Sequence, residues 1–353
     1  MTAQAAMRVA IVLVNWKGWR DSIECLSSIV GSGALAAADV WLVDNNSADG
    51  SVAQIEAWCG KPAPGAGWRS FDGVRHAASG VPIACRVWHA NGQPAPLQPG
   101  VQVNLVHSGG NLGFAGGNNA GIAAAGLDRY SHVWLLNNDT VMAHDALALL
   151  LARAEADAQT GIVGSTLLHY GEPDVVQALG GGWFDRETMR MSHVGEFRRA
   201  GDVPASAEAV REVEAQMAYV VGASMLVKSA FIRDTGPMCE DYFLYFEELD
   251  WALRGQPRWT LGYAPGSRIF HKVGASSTQT MGEFSLNLLY RNQVRFASRF
   301  LPDRLPALKR SLAWELVRHL LKGRWMPARL VARTLLQSRE LAASAPPLAG
   351  HGA

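Results

Sequence analysis

The sequence predicts an α/β fold with an open, mixed and mostly parallel β-sheet, helices on both faces, and a C-terminal helical segment. Apolar, β-branched runs alternate with segments of helical spacing from Val9 to Ala156, and two of these runs end in polar clusters. This alternation is typical of parallel sheets that are covered on both faces. We therefore expect ligands to bind outside the carboxyl ends of the strands.

The individual elements follow from hydrophobic periodicity and from the turn residues between the runs. The predicted strands are 9–14, 40–43, 101–106, 131–136, 161–168 and 219–227. The predicted helices are 21–29, 51–58, 118–125 and 145–156, and the chain is helical from Phe284 onward. Residues 60–100 are rich in Pro, Gly and Ala, which predicts an irregular insertion or a peripheral hairpin. We assign 1–275 to one main domain and 276–353 to a C-terminal extension.

Bulk composition excludes several classes of function. The 32 basic and 31 acidic residues give a net charge of +1, so no global field attracts nucleic acid, and we expect no nucleic-acid partner. The four cysteines lack a C-x-x-C spacing, which favours reduced thiols. The apolar run from Val9 to Val14 is much shorter than the roughly 20 residues that a membrane-spanning helix needs. We therefore predict a cytoplasmic protein.

The C-terminal segment 301–341 combines apolar residues with many arginines and lysines and almost no acidic residues. A basic amphipathic helix of this kind can lie on the anionic inner face of the plasma membrane. Packed terminal helices with a solvated face, or a homo-oligomer interface, would have the same pattern. All three interpretations remain open at the level of sequence.

The first polar cluster, Asp44-Asn-Asn-Ser47, comes directly after a predicted strand. Its carboxylate and amides could bind the polar edge of a nucleoside at the rim of the sheet. The alternative is that Asp44 or Ser47 caps the following helix.

A glycine-rich segment, Gly109 to Gly117, precedes a predicted helix. Its spacing differs from G-x-G-x-x-G and it follows the third strand rather than the first, which disfavours a nicotinamide-dependent oxidoreductase. It predicts a tight turn at a helix N-terminus, with Asn111, Asn118 and Asn119 near a diphosphate or a sugar. A purely architectural turn is the alternative.

Asn137-Asn138-Asp139 places one carboxylate and two carboxamides at the end of another strand. Hard oxygen ligands suit Mg²⁺ or Mn²⁺, and these ions commonly leave coordination positions for substrate phosphates. A divalent ion at Asp139 would stabilise a departing diphosphate.

The segment from Phe246 to Trp251 contains Glu247, Glu248 and Asp250 among aromatic and aliphatic residues. Crowding should raise the pKa of at least one carboxyl, which would suit a general base that deprotonates an acceptor hydroxyl. Alternatively, these residues begin a helix and complement its dipole.

Two further residues have several interpretations. His271 could be a metal ligand, a phosphate contact or a buried structural histidine. Arg291, in Tyr290-Arg-Asn292, could pair with a phosphate or lie on a helix surface.

Taken together, the motifs resemble those of family 2 glycosyltransferases with the GT-A fold, an open Rossmann-like sheet, and in particular the rhamnosyltransferase-like bacterial branch. The resemblance covers about 9–300 of the chain. The matching stretches are Val14-Asn-Trp16, Val43-Asp-Asn-Asn-Ser47, Asn111-Leu-Gly-Phe-Ala-Gly-Gly-Asn-Asn119, Leu135-Leu-Asn-Asn-Asp-Thr140, Val221-Gly-Ala-Ser-Met225, Tyr242-Phe-Leu-Tyr-Phe-Glu-Glu-Leu-Asp-Trp251 and His271-Lys272.

The resemblance implies roles for these residues. Asp139 corresponds to the remaining carboxylate of a metal-binding D-x-D signature whose first position is Asn137 here, and His271 would help to hold the metal or the diphosphate. Glu248 would be the base, where aspartate is commoner, and Glu247 and Asp250 would orient it or the acceptor. The candidate donor-binding residues are Asn15, Asp44, Asn46, Asn111, Gly113, Phe114, Asn118, Asn137 and Arg291.

The implied function is inverting, metal-dependent transfer of a sugar from a nucleotide diphosphate donor to a hydroxyl acceptor. The resemblance suggests dTDP-rhamnose first and UDP-sugars next, with a lipid-linked or oligosaccharide acceptor, in the synthesis of cell-surface polysaccharide or glycolipid. A catalytically silent sugar-nucleotide-binding subunit of a polysaccharide assembly complex is the alternative.

Overall fold

The computed structural model describes residues 8–60, 71, 83–96, 98, 100–272 and 282–343. The described strands are β1 (Val9–Asn15), β2 (Ala38–Asp44), β3 (Cys85–His89), β4 (Val103–His107), β5 (His132–Leu136), β6 (Thr140–Met142), β7 (Thr160–His169), β8 (Val176–Leu179), β9 (Gly181–Asp185), β10 (Arg190–His193), β11 (Tyr219–Val220), β12 (Ser224–Lys228) and β13 (Thr260–His271). The described α-helices are α1 (Trp19–Gly31), α2 (Ser51–Cys59), α3 (Gly113–Ala125), α4 (Ala146–Glu155), α5 (Ala207–Gln216), α6 (Ser229–Thr235), α7 (Glu247–Gly255), α8 (Glu283–Phe300), α9 (Leu305–Leu321), α10 (Trp325–Leu336) and α11 (Ser338–Ala343).

A mixed, mostly parallel sheet of ten strands forms the centre of the molecule. Nine of its strands follow the order β3-β4-β2-β1-β5-β12-β7-β13-β6, and β8 pairs with β7. The strands from β3 to β5 in this order are parallel, whereas β12 is antiparallel to both of its neighbours. Helices pack against the strands in two hydrophobic clusters, and the C-terminal helices α8 to α11 belong to one of them. The predicted fold class is therefore confirmed.

The parallel half places the first polar cluster beside the end of β1. The side chains of β1 from Val9 to Leu13 are fully buried, as expected for a continuous apolar strand covered on both faces. In the β1–β2 register Asn15 is opposite Asp44, so both strands end in polar groups at the same edge of the sheet.

Helix α3 packs unusually close to the sheet because its glycines leave room for the strand side chains. A Cβ at Gly121 would lie 2.5 Å from Cγ1 of Val12, and one at Gly117 would lie 2.8 Å from Cγ1 of Val14. The helix begins at Gly113, five residues before the predicted start at Asn118. The glycine-rich segment is therefore mostly helix, and only 109–112 of the predicted tight turn precede it.

The antiparallel half brings together residues that are distant in sequence. Strand β13 pairs with β6 so that His271 is opposite Thr140, which places His271 next to Asp139. The predicted strand 219–227 is wrong as a single element, because β11 joins a small sheet in the order β10-β9-β11 while β12 joins the main sheet. The three residues between them, Val221 to Ala223, form a junction between the two sheets.

The segment 60–100 contains a regular element that the sequence did not predict. β3 is a parallel strand at the edge of the main sheet, beside β4, and not part of a peripheral hairpin. Residues 61–70 and 72–82 of this segment lie outside the described residues, as does the predicted boundary near 275.

The C-terminal helices share a hydrophobic core with the main sheet. Val294 and Phe296 of α8, Leu312 of α9 and Val331 of α10 belong to the same buried cluster as β1. None of the helices in the described part of the chain is long and apolar enough to span a bilayer.

Candidate active site

Three side chains at the ends of β1 and β2, which we call the donor-side cluster, are Asn15, Asp44 and Ser47. The Asn15 amide donates to Oδ1 of Asp44 at 2.9 Å and to Oγ of Ser47 at 3.0 Å, and the Ser47 hydroxyl donates to Oδ1 of Asp44 at 2.6 Å. The predicted alternative, a helix cap, is wrong, because α2 begins after Gly50 and has no side-chain cap. Asp44 instead accepts the Ser47 N–H at 3.2 Å and closes a turn.

Asn45, which the sequence predicted only as one of the amides that could bind a nucleoside, contacts the start of α3. Its amide nitrogen donates to Oδ1 of Asn111 at 3.2 Å and to the Gly113 carbonyl at 3.0 Å, and its Oδ1 accepts the Leu112 N–H at 3.0 Å. Asn45 thereby fixes the start of α3 against the end of β2. Its neighbour Asn46 is exposed at the rim with a φ of 61°, available to a ligand.

The start of α3 contacts the acidic segment, which we define as Tyr242 to Asp250. Gly113 has a φ of 72°, and a Cβ there would lie 2.4 Å from the Phe243 carbonyl oxygen. The Phe114 N–H donates to the same carbonyl at 2.7 Å. Only glycine fits this approach, so position 113 shapes the site through its backbone.

Asn118 makes a hydrogen bond within its own helix, and its predicted contact with the donor stays a prediction. Its side chain is buried and donates to the Phe114 carbonyl at 3.0 Å, within α3. Asn119 likewise holds the loop before the acidic segment, with its amide 2.8 Å from Oε1 of Glu240. Asn118 is four residues after Phe114, which is the spacing of one helical turn. This spacing could have indicated that its side chain points along α3 and not into the crevice.

Asp139 and His271, the two predicted metal ligands, lie together. Oδ1 of Asp139 is 3.2 Å from Nε2 of His271, while Nδ1 of His271 is 2.9 Å from Oε1 of Gln177. A proton held on Nδ1 by Gln177 leaves the Nε2 lone pair directed toward Asp139, as in a metal-binding histidine. The interpretation of His271 as an unrelated core residue is therefore disfavoured.

This pair fits a divalent ion that takes its other ligands from donor phosphates and water. No third His, Cys, Asp or Glu completes a cluster among the residues that the structure describes. Nearby, the Asn138 amide donates to Oγ of Ser22 at 2.9 Å, and the half-buried Asn137 follows β5 directly. The ion would thus depend on the donor for much of its coordination.

Glu247 and Glu248 begin α7, as one of the two sequence interpretations predicted. The other interpretation, a raised carboxyl pKa, applies to the same two residues. Burial raises the pKa of Glu248 to about 7, although hydrogen bonds from the backbone of Glu248 and Gly222 oppose the shift. Burial, and then the charge of Glu248, raise the pKa of Glu247 well above its ordinary value. Within the described residues Oε2 of Glu247 has no hydrogen-bond partner.

Asp250 has a structural role, in contrast to the predicted role of orienting the base or the acceptor. It is fully buried, and its two oxygens bind Arg254 and Arg299 at 2.6 Å each and the Tyr242 hydroxyl at 3.1 Å. With both oxygens occupied by cations, this carboxylate joins α7 to α8.

Gly222, in the junction between the two sheets, lies between Glu248 and the start of α3. A Cβ at Gly222 would lie 2.5 Å from Oε1 of Glu248 and 2.8 Å from Cζ of Phe114. The carbonyl of the next residue, Ala223, accepts the Asn137 N–H at 3.0 Å. This junction therefore connects Glu248, the start of α3 and the end of β5.

The acidic segment has a strained backbone that α8 holds in place. Phe243, Tyr245 and Phe246 have φ values of 63°, 72° and 78°. Residues of this size rarely adopt such values unless their surroundings impose them. The buried Asn292 amide donates to the carbonyls of Tyr242, Leu244 and Tyr245 at 2.8, 2.8 and 3.1 Å.

Arg291, one residue earlier, is half-buried among the C-terminal helices. Burial lowers the pKa of its guanidinium, and the charges of Arg295 and Arg333 lower it further. Arg291 is thus close enough to these two cations to feel their charge, and its predicted contact with the donor stays a prediction.

Residues 95–199 match the family model for glycosyl transferase family 2. The matched segment is 105 of the 353 residues and agrees with the family resemblance that the motifs predicted; the rhamnosyltransferase-like branch stays a prediction. The matched segment contains the start of α3, β5 and Asp139. A search of curated proteins found no match.

Two solved structures that align with most of this chain do so at low sequence identity. TarS 1-349 of S. aureus is 10% identical with a TM-score of 0.47, and the alignment covers 95% of this chain and 92% of that one. The mannosyltransferase PcManGT of Pyrobaculum calidifontis, in complex with GDP-Man and Mn²⁺, is 14% identical with a TM-score of 0.48, over 97% and 88% of the two chains.

Proposed function

We propose that this chain, with its family 2 glycosyltransferase segment, is an inverting glycosyltransferase that uses a nucleotide diphosphate sugar and a divalent cation. The observation that carries the proposal is the junction at Gly222, where a carboxylate with a pKa near 7 meets the start of α3 beside the end of β5. A base and the candidate diphosphate contacts then border one crevice at the carboxyl ends of the strands.

Glu248 is suited to be the base because it combines a raised pKa with partial exposure. The acceptor hydroxyl gives its proton to the Glu248 carboxylate as its oxygen bonds to the anomeric carbon. The bond from that carbon to the donor phosphate breaks, and its electron pair leaves with the nucleotide diphosphate. One displacement inverts the anomeric centre, and a base with a pKa near the working pH is the most effective.

Three groups of residues would bind the nucleotide sugar donor. Asp44 and Asn46 would contact the nucleoside, while Asn111 and the α3 start, with Gly113 and Phe114, would adjoin the diphosphate or sugar. Asp139 and His271 would hold Mg²⁺ or Mn²⁺, whose chemistry is to neutralise charge on the departing diphosphate. Asn15 would act indirectly, by fixing Asp44.

The finer identity of the substrates is proposed from the sequence resemblance. We take dTDP-rhamnose as the first donor to test and UDP-sugars as the next, with a lipid-linked or oligosaccharide acceptor at the inner face of the plasma membrane. The corresponding role is synthesis of cell-surface polysaccharide or glycolipid.

Nucleotide diphosphate release from dTDP-, UDP- and GDP-sugars, with an acceptor panel, tests the proposal. Each donor is assayed with Mg²⁺, with Mn²⁺ and with chelator, for the wild type and for Asp139→Asn. We expect release from one donor class, its loss with chelator, and a higher metal requirement in the variant. Donor binding by calorimetry without release from any donor would instead favour the silent binding subunit.

A further inference from the structure

The turn between α9 and α10 carries a group of exposed apolar side chains, which we call the hairpin tip. Trp314, Leu321 and Trp325 are 70%, 81% and 72% exposed. The remaining members of the group are Val317, Leu320 and Met326. Five of the six lie between Val317 and Met326, in the last turns of α9 and the first turn of α10.

Trp314, Val317 and Leu321 are on the face of α9 that points away from the protein. Leu308 and Leu312 are buried against the core, and a helix of 3.6 residues per turn places Trp314, Val317 and Leu321 on the opposite side. Spacings of three and four residues make this second apolar face a continuous stripe. Helix α9 thus has one apolar face in the core and a second apolar face in solvent. An exposed apolar face of this kind marks a surface that binds another partner.

The polar residues around the tip are cationic. Between Arg304 and Arg333 there are eight arginines and lysines and one acidic residue, Glu315. Arg318, Lys322 and Arg324 are exposed at the tip itself. Glu315 faces the protein, where it accepts the Tyr290 hydroxyl at 2.9 Å, so it does not neutralise these cations.

We propose that the hairpin tip binds the surface of an anionic lipid bilayer. Tryptophan and leucine would enter the boundary between headgroups and acyl chains, and the arginines and lysine would contact the lipid phosphates. Charge complementarity selects this occupant, because a second copy of the same cationic tip would be repelled. The binding does not depend on sugar transfer, but it would hold the enzyme where a lipid-linked acceptor resides.

Sedimentation of the full chain with vesicles tests the proposal. We expect binding to phosphatidylcholine vesicles that contain 30% phosphatidylglycerol, weak binding to pure phosphatidylcholine, and release by high salt. Combining Arg318→Glu, Lys322→Glu and Arg324→Glu should lower the partition coefficient by about 100-fold or more, because each lipid-facing cation contributes roughly fivefold. The combination Trp314→Ser, Leu321→Ser and Trp325→Ser should also abolish binding.

Phe197→Ser is the matched control, because Phe197 is an aromatic residue 74% exposed outside the tip. Thermal unfolding and sugar transfer to a soluble acceptor show whether the tip variants remain folded and active. Equal sedimentation of wild type and tip variants would overturn the proposal. So would a wild-type dimer without lipid that the serine variants convert to monomer, since the tip would then be a protein interface.

Discussion

Asn15, Asp44 and Ser47 bond to one another in the donor-side cluster, whereas Oε2 of Glu247 in the acidic segment has no partner among the described residues. The first region lies at the ends of two regular parallel strands. The second has three residues with positive φ and is held by another helix. Satisfied hydrogen bonds fix the donor-side cluster in advance, whereas the acidic segment keeps the unsatisfied carboxyl of Glu247 next to the partly exposed Glu248. In the proposed function, the first region would bind the donor and the second would supply the base.

The largest expected effect is on turnover by Glu248→Gln. Loss of the base should lower kcat by about 10²- to 10⁴-fold, with little change in donor affinity, because the shape is kept and the basicity is lost. Glu247→Gln is the matched control, and its effect should be much smaller because the Glu247 side chain is buried, whereas that of Glu248 is partly exposed to an acceptor. Initial rates and donor titrations measure both. A larger loss of kcat in Glu247→Gln than in Glu248→Gln would assign the base to Glu247.

Asp250→Asn should act mainly by lowering stability, whereas Glu248→Gln should act mainly on turnover. It would leave the two guanidinium groups of Arg254 and Arg299 without their buried counter-charge. Breaking a buried ion pair in this way costs about 3–5 kcal/mol of unfolding free energy. Denaturant unfolding measures the loss, and assays well below the melting temperature should retain donor binding. A stable but inactive Asp250→Asn would return this residue to the catalytic group.

Glu248 should also make stability depend on pH. Its folded-state pKa of about 7 exceeds the ordinary value of 4.5, so the folded chain holds this proton more tightly than the unfolded chain. The resulting stability is complete below about pH 4.5 and is lost as the pH rises to about 7. Glu248→Gln should therefore become more stable than the wild type as the pH rises toward 8, by at most about 3 kcal/mol.

Unfolding of both proteins at pH 5, 6, 7 and 8 measures this difference. The exposed Glu212→Gln serves as the control and should show none. The activity of the wild type should rise over the same interval, because the base must be ionised. A constant stability difference across this range would mean that the pKa of Glu248 is ordinary.

Asn292→Ala tests whether the strained segment needs its support from α8. Without the amide, three carbonyls lose their donor and the segment can relax, so we expect kcat to fall about tenfold, or 1.4 kcal/mol, with donor affinity kept. The midpoint of the pH–rate profile should also move toward the ordinary glutamate value. Asn287→Ala on the same helix is the control. Equal losses in both variants would indicate general damage to α8.

Ser47→Ala should have the smallest effect and the opposite character. It removes the hydrogen bond from the Ser47 hydroxyl that orients Asp44, which contributes about 1 kcal/mol, so donor KM should rise about fivefold with kcat unchanged. Steady-state kinetics with varied donor separates the two parameters. A fall in kcat at saturating donor would show that the donor-side cluster also takes part in chemistry.

The sequence predicted the parallel half of the fold well because the signals there are local. β1, β2, β5 and the polar residues at their ends all follow from continuous apolar runs. The junction at Val221 to Ala223 was missed because apolar residues continue through it, and only pairing with two different sheets divides the run. The same limit applies to the site: Asp139 and His271 were found separately, and β13 brings them together.

Asn45, Asp250 and Asn292 show a second limit of sequence reasoning. Their roles depend on which distant groups they meet, and residue type alone does not reveal that. Asp250 resembled its acidic neighbours in sequence, but Arg299 of α8 makes it structural. Asn292 carries no charge, and its function is visible only in the three carbonyls that it contacts.

The dependence of the acidic segment on α8 constrains how such a protein can evolve. Asn292 and Arg299 reach the site from beyond residue 275, so a chain shortened there would lose two supports of its own active centre. The helical extension is therefore not a free module. Recombination that replaced α8 would have to carry matching changes in Tyr242 to Asp250, so we expect the two segments to be inherited together.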